Sequence, residues 1–155
     1  MAISYKRILD LKTLLSQKAF FLFGPRGTGK SYLVKEALAK SAQVIDLLAS
    51  DMFLRLSADP SLLESMLDPR FRYVVIDEVQ KIPILLDEVH RLIENKRVRF
   101  LLTGSSARKL RRGQANLLAG RAWTAHLFPF KTRAGGIATL HWKDFLETLW
   151  AGQVF

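Results

Sequence analysis

Gly24-Pro25-Arg26-Gly27-Thr28-Gly29-Lys30-Ser31 is the stretch that decides how this chain is read. Its spacing is G-x-x-x-x-G-K-[ST], the phosphate-binding P-loop. An apolar run, Ala19-Phe20-Phe21-Leu22-Phe23, precedes it, and a helical pattern, Tyr32-Leu33-Val34-Lys35-Glu36-Ala37-Leu38, follows. Glycines at 24, 27 and 29 let the backbone curl until several N–H groups face one anion. The helix that opens near Gly29 aims the positive end of its dipole at the same point. Lys30 can reach the β- and γ-phosphates and the Ser31 hydroxyl can ligate Mg²⁺. Gly24, Pro25, Arg26, Gly27, Thr28, Gly29, Lys30, Ser31 and Tyr32 are therefore the candidate nucleotide-binding residues, with Arg26 flanking the nucleotide rather than catalysing. The bland alternative is a glycine-rich turn between a strand and a helix.

Two further stretches bear on that choice. Tyr73-Val74-Val75-Ile76-Asp77-Glu78 has three β-branched residues in a row, the composition of a strand buried on both faces, and ends in an acidic pair. Alone, such an ending usually means a strand meeting solvent. Downstream of a P-loop it is the Walker B pattern, in which Asp77 would hold Mg²⁺, directly or through water, and Glu78 would orient and activate a water at the γ-phosphate. Arg99-Phe100-Leu101-Leu102-Thr103-Gly104-Ser105-Ser106 is another buried-type strand with a small polar end. Thr103 and Ser105 are candidate γ-phosphate sensors, and Ser105 or Ser106 is equally suited to cap a following helix.

These residues carry a family resemblance. The chain resembles the AAA-type ATPase domain of a large prokaryotic group of ATP-binding proteins. The matching stretches are Phe21 to Ser31, Val75-Ile76-Asp77-Glu78-Val79-Gln80-Lys81-Ile82-Pro83, Phe100 to Leu110, and Leu118-Ala119-Gly120-Arg121-Ala122. The resemblance implies a P-loop ATPase with a strand inserted between the P-loop strand and the Walker B strand, and Glu78 as the catalytic carboxylate. It also implies that Arg121 can bring a positive charge near the γ-phosphate, in cis or as a finger into a neighbour's site. The alternative for Arg121 is a pairing with a carboxylate on a neighbouring strand. In that group the ATPase domain precedes a C-terminal domain thought to resemble restriction endonucleases. After Leu127-Phe128-Pro129-Phe130 this sequence departs from the usual continuation, so a form truncated after the ATPase domain is expected. Residues 1–130 would be the ATPase domain, and 131–155 a divergent tail with a short helix.

Composition fits one domain. The chain has 155 residues, 49% of them hydrophobic, enough for a sizeable core and against disorder. With no cysteine, disulfides and thiolate metal sites are excluded, and His90, His126 and His141 are too far apart in sequence for a zinc motif. The N-terminal Met1-Ala2-Ile3-Ser4-Tyr5-Lys6-Arg7 leads into no signal-like apolar run, and no stretch approaches membrane-spanning length, so a cytoplasmic location is expected.

The periodicity predicts an alternation of helices and strands. Helices are expected over 5–16, 30–40, 51–57, 60–67 (capped by Asp59), 83–95 and 142–150. Strands are expected over 19–23, 43–48, 72–77, 98–103 and 122–127, and Gly135-Gly136 is the expected hinge. The expected fold is α/β, a P-loop NTPase three-layer sandwich of the AAA/ASCE type, with a mostly parallel sheet and helices on both faces.

Charge is uneven. Ten of the 24 basic residues lie between Lys96 and Arg133 with no acid among them, which leaves the other 14 balanced by the 14 acids and puts the whole net charge of +10 in this block. The block 96–133 can bind nucleic acid through phosphates, face an acidic partner or second domain, or be plain solvated surface. The leading expectation is a Mg²⁺-dependent ATP hydrolase or ATP-driven switch. The alternatives are a nucleic-acid-binding module regulated by nucleotide, and a truncated fragment that binds nucleotide without hydrolysing it.

Overall fold

The computed structural model describes residues 9–107, 110, 118 and 121–128. In chain order the elements are α1 (Leu11–Gln17), β1 (Ala19–Phe23), α2 (Lys30–Leu38), β2 (Ala42–Asp46), α3 (Ser50–Ala58), α4 (Leu62–Met66), β3 (Tyr73–Asp77), a 3₁₀ turn (Val79–Lys81), α5 (Leu85–Lys96), β4 (Arg99–Gly104) and β5 (Ala122–His126). The expected helix at 142–150 and the Gly135-Gly136 hinge lie outside the described residues.

The five strands form one parallel sheet in the order β2-β3-β4-β1-β5. Parallel pairing needs a crossover between consecutive strands, and the helices supply it. β4, though later in sequence, sits between β1 and β3, which is the inserted strand the family resemblance implies. All five residues of β1 are buried, because successive side chains point to opposite faces and both faces are covered. Phe20 and Leu22 join Leu11, Leu15, Leu33, Val34 and Leu38 beneath α1 and α2. Ala19, Phe21 and Phe23 join Leu56, Leu63, Leu85, Val89 and Leu92 beneath α3, α4 and α5. Two cores flanking one sheet make the three layers.

Local chemistry sets the element ends where they differ from the periodicity. Asp10 accepts hydrogen bonds from the backbone N–H groups of Lys12 (3.0 Å) and Thr13 (3.2 Å), so α1 begins at Leu11. Asp59 accepts from the Ser61 N–H at 2.9 Å and its hydroxyl at 2.6 Å, a tight local turn that delays α4 to Leu62. β2 stops at Asp46 because the Asp46 carboxylate turns the chain by accepting from Leu48 N at 2.8 Å. Gln43 ties β2 to the end of α4, donating to Met66 O (2.7 Å) and accepting from Asp68 N (2.9 Å). Glu64 on α4 takes hydrogen bonds from Arg91 and then Lys96 on α5, which hold its carboxyl down at about 2. Among the described residues no helix is long and apolar enough to cross a membrane.

Candidate functional site

In a parallel sheet all strands deliver their C-terminal ends to one edge, and ligands bind in the crevice there. At that edge β1 runs into the loop Gly24 to Gly29, which leads directly into α2. Gly27 (φ +79°) and Gly29 (φ +83°) take left-handed backbone, which a side chain would strain. Gly24 is glycine for a different reason. Its N–H donates to Gly104 O at 3.2 Å, and a Cβ there would stand 2.2 Å from the carbonyl oxygen of Leu127, just past β5. The loop is thus held against two strands at once. Gly24→Ala forces backbone against backbone and is expected to cost about 1–3 kcal/mol of stability in urea unfolding. An unchanged midpoint would show that Leu127 can retreat freely.

Within the loop, Thr28 is buried and its hydroxyl donates to Pro25 O at 2.8 Å. Pro25, Arg26 and Gly27 are exposed. The first intrahelical hydrogen bond runs from Leu33 N to Gly29 O at 2.9 Å, and no side chain caps the helix. By helix geometry the N–H groups of Gly29, Lys30, Ser31 and Tyr32 have no acceptor within the helix, so they are directed toward the loop. Lys30, only 6% exposed, curls back to donate to Gly24 O (2.6 Å) and Pro25 O (3.1 Å). A lysine so deep satisfies its charge on carbonyls facing the space a phosphate would take.

β3 brings the acidic pair alongside. Ser31 Oγ donates to Asp77 Oδ2 at 3.2 Å. Thr103 at the end of β4 is 1% exposed; its hydroxyl donates to Asp77 Oδ1 and accepts from the Glu78 N–H at 3.3 Å. Two hard oxygen donors, the Asp77 carboxylate and the Ser31 hydroxyl, therefore share one spot, the donor chemistry that suits Mg²⁺. Glu78 is 8% exposed and sits at φ +59°, ψ +43°, a left-handed conformation that costs a non-glycine residue about 1–3 kcal/mol. The bond to Thr103 and the 3₁₀ turn closed by Lys81 N to Glu78 O (3.0 Å) hold it there.

Gln80 lies in one of the matching stretches, but the sequence reading gave it no role. Its Nε2 donates to a Glu78 carboxylate oxygen and to Ser105 Oγ at 3.1 Å, joining the Walker B turn to the end of β4. Its Oε1 is buried with no hydrogen-bond partner, and a Cβ on Gly104 would lie 2.5 Å from it. Gly104 is thus the space into which Gln80 packs. A glycine directly after Thr103 was the available signal, since glycine at a strand end marks close approach.

Lys30, Ser31, Asp77, Glu78, Thr103 and Ser105 are therefore brought together; Arg121 is not. β5 pairs with β1 in the register Ala19↔Ala122 to Phe23↔His126, which puts Arg121 level with Lys18 at the opposite end of the sheet. Six residues of strand separate that level from Gly24, on the order of 20 Å. Arg121 Nε instead donates to Glu94 on α5. In this arrangement Arg121 makes an ion pair with a carboxylate on a helix and not on a neighbouring strand. Of the basic block, Lys96 and Arg121 are paired with Glu64 and Glu94. Arg108, Lys109, Arg111, Arg112, Lys131 and Arg133 lie outside the described residues.

Among curated proteins none matches this chain. Solved structures that match include Drosophila ORC bound to AT-rich DNA and Cdc6, with 12% sequence identity and a TM-score of 0.47, covering 91% of this chain and 59% of that one. A family model described as an AAA domain matches residues 16–134, a span that takes in the loop, both carboxylates, Thr103 and all five strands. The chain belongs to the AAA domain family of nucleotide-binding ATPases.

Proposed function

We propose that this chain binds ATP with Mg²⁺ and hydrolyses it slowly. One observation carries the reading: Lys30 and Ser31 at the start of α2, Asp77 and Glu78 at the end of β3, and Thr103 on β4 converge on a single edge of the sheet. The loop N–H groups and the start of α2 cradle the phosphates, and Lys30 exchanges its loop carbonyls for phosphate oxygens. Asp77 and Ser31 hold the metal, with Thr103 fixing the Asp77 carboxylate. Bound Mg²⁺ supplies charge neutralisation on the transferring phosphoryl group. Glu78 accepts the proton of the attacking water, and Thr103 and Gln80 fix its backbone and carboxylate. The same geometry also serves a switch that binds and releases nucleotide, and only turnover separates the two.

Asp77→Asn tests the metal assignment. The amide oxygen still accepts from Thr103, while the negative charge is gone. Calorimetry in Mg²⁺ and in EDTA should show the metal-dependent gain in ATP affinity falling roughly tenfold to hundredfold. An intact gain would move the metal away from Asp77.

A further inference from the structure

We infer that Gln80 is a positioning residue that ties the Glu78 carboxylate to Ser105, so that the base is aligned by the end of β4. The inference rests on the hydrolysis reading above and adds how Glu78 is controlled. Glu78 has two attachments to β4 and the residues that follow it. Its backbone N–H donates to Thr103 Oγ1 at 3.3 Å. Its carboxylate is held by Gln80 Nε2, which also donates to Ser105 Oγ at 3.1 Å. A side-chain amide nitrogen carries two hydrogens in one plane, so it serves two acceptors at a fixed angle. A shift of Ser105 is thereby passed to the Glu78 carboxylate through one rigid group.

Packing alone does not account for Gln80. Among the described residues its Oε1 is buried and has no hydrogen-bond partner. A buried unpaired oxygen is destabilising, and an apolar side chain of the same length would avoid it. Turning the amide over gives no relief, because the oxygen would then face the Glu78 carboxylate, acceptor against acceptor. The nitrogen must point at Glu78 and Ser105, and the oxygen is left over. The chain also makes room for this side chain: a Cβ on Gly104 would stand 2.5 Å from Oε1. Its partner Glu78 lies in left-handed backbone, at φ +59° and ψ +43°. An orphaned oxygen beside a strained residue marks a contact kept for function rather than for stability.

The test is ATP hydrolysis by the full chain with Mg²⁺, with ATP affinity measured by calorimetry on the same preparations. Gln80→Met keeps the unbranched shape and removes both donors. It should lower kcat roughly tenfold to hundredfold, the scale of a reacting group displaced by about an ångström. ATP affinity should stay within about threefold, since no phosphate or metal contact is touched. The urea midpoint should stay near wild type, because the lost bond to Glu78 and the removal of the orphaned oxygen offset each other. Gly104→Ala keeps Gln80 but fills its space. It should lower kcat in the same way and add nothing to Gln80→Ala, where that space is free. Ser105→Ala should lower kcat in the wild type and not in Gln80→Met, because the two side chains act along one path. An unchanged kcat in Gln80→Met overturns the proposal. So does an equal Ser105→Ala loss in both backgrounds, which would put Ser105 on the nucleotide directly. A loss of ATP affinity as large as the loss of kcat would make Gln80 a brace for the whole site, and overturns it too. If Gln80→Met does not fold, Gly104→Ala decides alone. If the wild type turns over no ATP, the hydrolysis reading fails and this positioning role fails with it.

Discussion

Lys30→Ala is expected to lose roughly a hundredfold in affinity for ATP and ADP, while the weaker binding of AMP changes little. Lys30 is buried with its ammonium on two loop carbonyls. A charge-assisted hydrogen bond contributes about 1.5–3 kcal/mol, and about 2.7 kcal/mol corresponds to that hundredfold. AMP lacks the β- and γ-phosphates that the lysine reaches, so it serves as the internal control for a loop that has merely been damaged. Removing Lys30 also leaves the Gly24 and Pro25 carbonyls without their donor, so a melting curve accompanies the calorimetry. Parallel losses for ATP and AMP would assign Lys30 to holding the loop and not to binding phosphate. Undiminished ATP affinity would remove the P-loop assignment altogether.

Much of this site was legible in the sequence because motif spacing and strand position are both local. Three apolar runs end in Gly24, Asp77 and Thr103, and a parallel sheet delivers all strand ends of that kind to one edge. Once the runs are strands, the convergence of Lys30, Asp77, Glu78 and Thr103 follows. What spacing does not supply is register. Ile76 pairs with Leu102, so continuing both strands two residues brings Glu78 level with Gly104. Only then does Gln80, a polar residue on a short 3₁₀ turn, fall between Glu78 and Ser105. The matching stretch that contains it marks the segment but not what its side chain touches.

Two placements that local spacing does not give have the same origin. Gly24 belongs to the motif, and backbone freedom is the usual reason given for such a glycine. Here its lack of a side chain admits Leu127, a residue more than a hundred positions away that no local pattern connects to it. Arg121 was read through the resemblance, yet it stands where β5 enters the sheet. The entry of a parallel strand and its functional edge are opposite ends, so Glu94 on α5 is within its reach and the loop is not. The early stop of β2 is another local event, since the Asp46 carboxylate closes a turn at Leu48 that β-propensity alone does not reveal.

Glu78→Gln should leave ATP affinity within about threefold and lower turnover roughly a hundredfold to ten-thousandfold, the range for losing a general base. The substitution changes little else. The side chain keeps its length, the amide oxygen can still accept from Gln80 Nε2, and the backbone N–H keeps its bond to Thr103. Asp77 and Ser31 are untouched, so metal binding survives. The loss should fall on kcat and not on KM, because a base acts only as the water attacks. Single-turnover hydrolysis of ATP, with affinity measured on the same preparation, separates the outcomes. Equal turnover in wild type and variant would mean that another group positions the water. Tight binding with no turnover in the wild type would make the chain a nucleotide-operated switch. Glu78 would then hold its left-handed corner for the conformational response and not for proton transfer. In that event Glu78→Gln should still bind ATP, and its effect should appear in the difference between ATP-bound and ADP-bound stability.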